Sequence, residues 1–268
     1  MSSIASKRRA MAKKINRIKK DAVVLDKRVS RQSIGFLRDL QDEISRALVG
    51  ATGFSTEFLP MLKSEITRAV SRFQRRIGDS METNLTGAWD LGQSMVDDVL
   101  ATAEIGYGMP LLSDSQLVVL KDFSADLVGG LSADMLNKVN NAVTLNVVGG
   151  RTISDTAKQI DGILGIAKKK GMTDRALKIA RTEVGRAQSV ANQARMEQAK
   201  ELVPKMKKQW VTGVNPRDTH AAADGQIRNI DEPYDIGGYK AMEPLDPSLP
   251  AEEVVRCNCV SVPYIEEF

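Results

Sequence analysis

The side chains best suited to metal binding or nucleophilic chemistry are gathered near the end of the chain. Its single histidine is His220, and its two cysteines are Cys257 and Cys259. Imidazole and two thiolates are good zinc ligands, and a carboxylate from Asp218 or Asp224 would complete a tetrahedral set. One interpretation is therefore a zinc site formed by His220, Cys257, Cys259 and Asp224, with zinc as the cofactor.

Two other interpretations of these residues stay open. Cys-x-Cys is not the two-residue-spaced knuckle common in zinc sites, so the cysteines are alternatively small buried residues at the start of a strand, with His220 hydrogen-bonded in a turn. A nucleophile, a base and an orienting carboxylate could also be drawn from one cysteine, His220 and Asp224. No flanking sequence indicates a nucleophile elbow or an oxyanion hole, so we expect no enzymatic activity.

Composition indicates which elements position these residues. Aromatic residues make up only 4% of the chain and apolar residues 42%. A core built largely from Ala, Leu, Val, Ile and Met suits packed helices better than a β-sandwich or barrel.

The longest apolar runs are a few residues, far below the roughly 20 that span a bilayer, so no membrane segment is expected. Cysteines one residue apart are poorly placed to bridge each other, which favours a reducing compartment.

Apolar residues in the first half of the chain recur at helical spacing. The pattern runs from about Asp21 to Leu48 and from about Thr56 to Ile105, where Gly78, Gly87 and Gly92 weaken it and suggest a break. A third helical pattern follows Ser113, with a break expected near Gly129 and Gly130. Interruptions between helices are expected at Gly50 to Ser55 and at Gly106 to Pro110.

The second half of the chain carries clearer boundary signals. Thr152 and Asp155 form a capping-box pattern that opens a short helix. The next helix has a seam of mostly small residues that would let a neighbouring helix approach closely. After Pro204, short runs at Gln209–Val214 and Val260–Pro263 are predicted to pair as strands. The fold class is therefore mostly α with a small C-terminal α+β module and long N-terminal helices.

These patterns divide the chain into four regions. We predict a basic arm at residues 1–20, a long-helix region at 21–110, a helical core at 111–203 and a C-terminal α+β module at 204–268. The arm concentrates the positive charge, since residues 1–31 hold eleven basic residues against two acidic ones.

The basic arm predicts contact with nucleic acid or with an acidic partner. It has no aromatic residues to stack on bases, so any DNA binding should be without sequence preference. The alternative is a solvated tail or the polar start of a helix. The residues concerned are Lys7, Arg8, Arg9, Lys13, Lys14, Arg17, Lys19 and Lys20.

A longer succession of residues resembles a known family. In chain order it comprises Arg181-Thr182-Glu183, Trp210, Asp218-Thr219-His220, Asp224-Gly225 and Cys257-x-Cys259. This order is similar to that of the phage minor head proteins typified by protein F of phage Mu, the head morphogenesis family. The resemblance covers roughly Leu131 to Tyr264, about half of the chain.

Within this succession, Arg181, Thr182, Glu183, Trp210 and Asp218 are assigned as a structural motif. Arg186 lies one helical turn from Thr182 and Glu183, so local side-chain pairing is expected there. Arg181 is a candidate tether to the C-terminal module, through an acidic residue such as Asp224. Trp210 is expected to anchor a core.

The resemblance implies a structural component of a tailed-phage head at or near the portal vertex. Its implied partners are the portal protein, scaffold or major capsid protein, and packaged DNA, and its implied work is procapsid assembly and DNA packaging or delivery. The implied location is the virion, inside the head near the portal, with passage through the host cytoplasm during assembly. The alternative function is a non-specific DNA-binding helical protein with a metal-stabilised C-terminal module.

Overall fold

The computed structural model describes residues 4–50, 54–105 and 109–266. Long helices fill most of this range and a few short strands follow near the C-terminus, which confirms the predicted fold class. Among the described residues, each helix is too short or too polar to cross a membrane. The helix interruptions predicted at Gly50 to Ser55 and at Gly106 to Pro110 lie partly outside the described residues. The first three positions of the basic arm also lie outside them.

The described elements are seven helices and five strands. The helices are α1 (Ile4–Gly50), α2 (Leu59–Thr102), α3 (Ser115–Val148), α4 (Ile153–Leu164), α5 (Gly171–Ala199), α6 (Asp218–Ala222) and α7 (Ala251–Val254). The strands are β1 (Lys207–Val211), β2 (Ile227–Asn229), β3 (Tyr234–Ile236), β4 (Tyr239–Ala241) and β5 (Val260–Tyr264).

The basic arm forms the first turns of α1, so it is the polar start of a helix rather than a separate tail. Met11, Ile18 and Leu25 recur at a spacing of seven on one face of this helix, and all three are buried. Most of the basic residues lie on the other faces. The arm is therefore half of an amphipathic helix whose apolar side is already packed.

Helices α2 and α3 run without interruption through every glycine at which a break was predicted. The prediction was wrong because a helical glycine costs only about 1 kcal/mol, which burial of a long apolar face offsets. Gly92 also has a packing role. A Cβ at this position would lie 2.2 Å from the Gln188 carbonyl oxygen and 2.8 Å from the Ala191 Cβ, so α2 and α5 make close contact here.

The boundaries of α4 follow the predicted signals. Thr152 caps the helix by accepting from the Asp155 amide, and the Asp155 carboxylate accepts in return from the Thr152 amide, which confirms the capping box. Gly165 ends α4 in the left-handed conformation with φ of 66°. The Thr173 hydroxyl then donates to the Leu164 carbonyl, so it joins the first turn of α5 to the end of α4.

Contacts divide the chain into two compact units. The helical unit comprises Arg28–Glu82 and Asp122–Ala180, and the site-bearing unit comprises Met1–Lys27, Thr83–Lys121 and Arg181–Phe268. The helical unit buries a stripe of aliphatic residues along each of its long helices. Surface ion pairs such as Arg72–Glu43 and Arg76–Asp39 join its helical segments.

The site-bearing unit contains the whole C-terminal module. Strand β1 is central in a three-stranded antiparallel sheet of order β2-β1-β5, with Trp210 opposite Ser261 and Val211 opposite Val260. The predicted pairing of the first and last strands is therefore correct. Strands β3 and β4 form a separate hairpin. One core cluster lies around Trp210, Tyr234 and Ile236, and this cluster includes both cysteines.

Candidate functional site

His220, Cys257 and Cys259 meet in the interior of the C-terminal module. His220 lies on the short helix α6, and the two cysteines lie in the turn between α7 and β5. The His220 Nδ1 atom is 3.3 Å from the Cys259 Sγ atom and 3.5 Å from the Cys257 Sγ atom. All three residues are buried, and their donor atoms fall within 4.8 Å of one another. The structure thus assembles three of the four residues that the sequence suggested as ligands.

Glu253 is the carboxylate that approaches the histidine, and the sequence patterns did not identify it. Its Oε2 atom lies 3.0 Å from His220 Nε2, on the side of the ring opposite the cysteines. The same oxygen accepts a 2.9 Å hydrogen bond from the Thr219 hydroxyl. The glutamate lies 33 residues after the histidine in the printed sequence, so no local spacing could have indicated the pair.

Backbone geometry holds the cysteine turn against the end of β1. A Cβ at Gly213 would lie 2.4 Å from the Asn258 carbonyl oxygen, so only glycine allows this approach. The Arg217 guanidinium donates to the Val255 carbonyl, and the Arg256 amide donates to the Thr182 hydroxyl at 3.3 Å. Arg256 itself has a positive φ of 63°, which turns the chain into the Cys-x-Cys segment.

The two thiols differ in acidity because they are hydrogen-bonded to each other inside the core. The hydrogen bond with Cys259, together with burial, raises the pKa of Cys257. The hydrogen bond from Cys257, aided by His220 and by the Gly213 amide, holds the pKa of Cys259 below its ordinary value against the effect of burial. Cys259 is therefore the more acidic of the two thiols.

Asp224 and Asp218 lie outside this cluster. The Asp224 carboxylate accepts from the Thr212 amide at 2.8 Å and from the Thr212 hydroxyl at 3.1 Å, which closes the turn after β1. Asp218 is exposed in the first turn of α6. Neither carboxylate joins the group that could hold a metal. The arrangement of cysteine, histidine and Asp224 considered for catalysis is therefore not assembled.

Arg181 and Glu183 of the Arg-Thr-Glu segment, together with Arg186 one turn later on α5, make separate contacts. Glu183 and Arg186 form a buried ion pair one helical turn apart, as expected, and the Arg186 Nε atom also donates to the Leu245 carbonyl. Burial raises the pKa of Glu183, opposed by the Arg186 charge. The suggested tether between Arg181 and Asp224 is wrong, because Arg181 Nε donates at 2.6 Å to Asp26 on α1. A partner 155 residues distant leaves no local signal in the sequence.

Trp210 packs directly on the histidine. It is fully buried and makes edge contacts with His220 at 5.6 Å and with Tyr234 at 5.2 Å between ring centroids. The expectation that Trp210 anchors a core is confirmed. The Tyr234 hydroxyl lies 2.7 Å from the Ser261 hydroxyl, so the aromatic pair is also fixed to β5.

The basic residues at the start of α1 differ in exposure and in partners. Lys7 pairs with Glu104 at 2.8 Å and Lys14 with Asp98 at 3.3 Å, and these acidic partners lie just beyond α2 and near its end within the same unit. Arg8, Arg9, Lys13 and Lys20 are exposed, Arg17 is exposed and lies 3.8 Å from Asp21, and Lys19 is half-buried. The exposed group retains the charge that a polyanion could contact, whereas Lys7 and Lys14 contribute to the fold.

A cavity of about 910 Å³ lies beside the cysteine turn, entirely within the site-bearing unit. Its walls come from α1, α5, the end of β1 and the turn that carries Cys257 and Cys259. The buried Asn192, one of its lining residues, donates to the Ser261 carbonyl and leaves its own side-chain oxygen without a hydrogen-bond partner among the described residues. Cys257 and Cys259, two of the three donors that could hold a metal, also line this cavity.

Comparison with known proteins identifies the region that contains this site. Residues 137–262 match the family described as Phage Mu protein F like protein. The chain is 30% identical to "NAD(+)--arginine ADP-ribosyltransferase EFV" of Enterococcus faecalis over 172 residues, which are 60% of this chain and 34% of that protein. It is 25% identical to the uncharacterized protein YqbB of Bacillus subtilis over 180 residues, which are 65% of this chain and 56% of that protein.

An uncharacterized protein of Haemophilus influenzae is 30% identical over 142 residues, or 52% of this chain and 27% of that protein. The matches therefore span from about a quarter to just over half of the length of these relatives. No solved structure matches the chain. The matched region includes Arg181, Trp210, His220 and both cysteines, the residues whose order suggested the family. Residues 137–262 of this chain are therefore similar to the Phage Mu protein F like family.

Proposed function

We propose that this chain is a minor head protein of a tailed phage, associated with the portal vertex and acting in procapsid assembly and in DNA packaging or delivery. The observation that carries the proposal is the phage Mu protein F-like region at residues 137–262, which indicates phage head morphogenesis and a place in the virion. The portal protein is its main partner. Scaffold or major capsid protein and packaged DNA are further partners.

The form of the molecule is compatible with a structural role. Helices α1 and α2 have 47 and 44 residues, far longer than the usual three or four turns of a globular helix. Long helices offer extended side surfaces for partner proteins, and exposed apolar residues occur on α1, at Val23 and Val24, and on α3, at Val119. The C-terminal module packs its core residues, and the three donors that could hold a metal, in its own interior.

The portal association is tested by co-expression with the portal protein of the genome that encodes this chain. We expect the two proteins to co-purify at moderate salt after nuclease treatment, because a protein contact does not depend on bridging DNA. Recovery of the chain free of portal protein under these conditions would contradict the proposal. A variant with Arg8, Arg9 and Lys13 changed to Glu should still bind the portal if DNA is not the link.

Contact with DNA is the second candidate function, favoured by the exposed basic residues at the start of α1. Each phosphate contact adds about 0.9 to the slope of log affinity against log salt. The triple variant R8E/R9E/K13E should therefore lower that slope by about 2 to 3. K168E/K169E/K170E is a matched control, because it removes the same charge from an exposed loop between α4 and α5. Equal losses in both variants would indicate a net-charge effect only.

We also propose that the chain has no catalytic activity of its own. The arginine ADP-ribosyltransferase named among its relatives is matched over only 34% of its length. Incubation of the purified chain with NAD⁺ and an arginine-containing acceptor should therefore give no transfer of ADP-ribose and no release of nicotinamide. Turnover that is lost on changing a residue of this chain would overturn that part of the proposal.

A further inference from the structure

The nitrogen of His220 lies at tetrahedral-site distances from the sulfurs of Cys257 and Cys259, and all three donor atoms lie within 4.8 Å of one another. With zinc bonds of about 2.0 Å to nitrogen and 2.3 Å to sulfur, tetrahedral angles place nitrogen and sulfur about 3.5 Å apart. The observed distances from Nδ1 to the two sulfurs are 3.3 and 3.5 Å. We propose that these three side chains bind one zinc ion and leave its fourth position to an exchangeable ligand.

The surroundings of the imidazole orient it for this role. Glu253 lies 3.0 Å from Nε2 and is itself fixed by the Thr219 hydroxyl. The contact falls outside hydrogen-bond geometry, but a carboxylate at this distance favours a proton on Nε2 and leaves the lone pair on Nδ1, as is usual for histidines that bind zinc. Nδ1 faces both sulfurs. Trp210 packs edge-on against the ring.

Backbone groups also surround the sulfurs. The Cys259 amide donates to the Cys257 Sγ atom at 3.4 Å. Gly213 lies close against the cysteine turn, since a Cβ there would lie 2.4 Å from the Asn258 carbonyl oxygen. Thus the Cys257 sulfur accepts from a backbone N–H group, and both sulfurs face His220. A buried structural pair of cysteines would not need this convergence on one nitrogen.

The choice of zinc follows from the donor types. Two thiolates and an imidazole form a soft to borderline set that suits zinc, whereas magnesium, calcium and manganese prefer oxygen ligands. Three protein ligands leave one tetrahedral position, because Asp224 lies outside the cluster and its carboxylate accepts from Thr212. Both cysteines line the 910 Å³ cavity, from which water or a side chain of a partner can reach the ion.

A zinc ion here would join distant segments of the module. His220 lies 37 residues before Cys257, and the loop between them contains β2, β3, β4 and α7. These elements are three or four residues long and have little regular hydrogen bonding of their own. Closing such a loop restricts the unfolded chain, so metal binding should stabilise this module more than any other part of the described structure.

The proposal is tested on the full chain purified under reducing conditions. Elemental analysis should give about one zinc per chain after gel filtration, and a chelator should lower the melting temperature. Cobalt substitution should give the visible absorption of a tetrahedral site with thiolate-to-cobalt charge transfer, and added imidazole should shift these bands if one position is exchangeable. Zinc far below one equivalent, with no cobalt spectrum on reconstitution, would overturn the site. Bands unmoved by imidazole would overturn the open position.

Variants separate this site from its alternatives. Cys257→Ser and Cys259→Ser should each lose the ion, whereas Asp224→Asn should keep it, and Glu253→Gln should weaken it by about 10 to 100 fold. Full zinc content in a folded cysteine variant would overturn the assignment. If both cysteine variants fail to fold, the cobalt spectrum of the wild-type chain decides. Rapid alkylation of Cys259 in wild-type protein without zinc would instead favour a reactive thiol.

Discussion

The helical unit and the C-terminal module of the site-bearing unit are stabilised in different ways. In the helical unit, aliphatic residues repeat along its segments of α1 to α5, and the ion pairs lie at the surface. The module has strands of three to five residues and buries charged groups. The first arrangement spreads stability over many similar contacts. The second depends on a few side chains that have no substitute nearby. A single substitution should therefore have a much larger effect in the module and its supporting helix than on the surface of the helical unit.

The buried pair of Glu183 and Arg186 should show the largest effect. Changing Arg186 to Met leaves the Glu183 carboxylate buried without its charge partner, which typically costs about 3–5 kcal/mol in the free energy of unfolding. Burial already raises the pKa of Glu183, and loss of the arginine raises it further. The variant should therefore lose more stability at pH 8 than at pH 5, because lower pH favours the protonated, uncharged form of the unpaired carboxyl.

Denaturant unfolding at the two pH values measures this effect. A double variant with Met at both Glu183 and Arg186 is the control, because a pair of apolar side chains needs no charge partner. It should recover most of the lost stability. If Arg186→Met alone lowers the free energy of unfolding by less than about 1 kcal/mol, the buried charge is compensated elsewhere. The two units would then differ less in their sensitivity to substitution than their contacts suggest.

The close contact between α2 and α5 at Gly92 gives the next largest effect. Gly92→Ala introduces a Cβ at 2.2 Å from the Gln188 carbonyl oxygen, and such overpacking typically costs about 1–3 kcal/mol. Gly87→Ala is the matched control on the same helix, because its Cβ would meet nothing within 4 Å. This control should be stabilised by about 0.5–1 kcal/mol through helix propensity. Equal effects of the two substitutions on thermal unfolding would remove the packing argument.

Gly87 and Gly92 also show what sequence patterns could and could not predict. Repeating apolar residues predicted the long helices, and the Thr152 and Asp155 pattern predicted the start of α4, because these signals are local. The glycines predict breaks because their low helix propensity is visible in the sequence, whereas the burial of the long helix and the close contact at Gly92 are not. The cysteines and the histidine were identified by their rarity. Glu253 and the partner of Arg181 were missed, because only the folded chain brings them together.

The cluster of Glu243 and Lys208 predicts a pH dependence of intermediate size. Burial and the nearby Asp246 raise the pKa of Glu243 to about 8, against the opposing effect of Lys208. Between pH 5 and 7.5 the unfolded chain releases this proton and the folded chain retains it, so stability falls as the pH rises. We expect this contribution to be on the order of 1–2 kcal/mol after solvent screening.

Glu243→Gln tests that contribution, because the amide does not titrate. The variant should lose less stability than the wild-type chain between pH 5 and 7.5. The range stops at 7.5 because burial lowers the pKa of Lys208 to about 8, and deprotonation of that lysine adds the opposite slope at higher pH. Parallel pH profiles for the two proteins would show that Glu243 is solvated in solution and that the module tolerates its charge.

The smallest effect is expected at the surface of the helical unit. Arg72 donates from Nε at 2.9 Å and from Nη2 at 2.5 Å to the Glu43 carboxylate, yet about half of the arginine side chain is exposed. Exposed pairs of this kind are typically worth less than about 1 kcal/mol. Arg72→Ala should therefore lower the free energy of unfolding by about 0.5 kcal/mol more than Arg75→Ala, which removes the same charge from an exposed neighbour on the same helix.

The difference should vanish in 1 M salt, because screening at that concentration acts over about 3 Å. A difference of several kcal/mol that persists in salt would place an ion pair among the contacts that this unit cannot replace, and the contrast with the module would then fail.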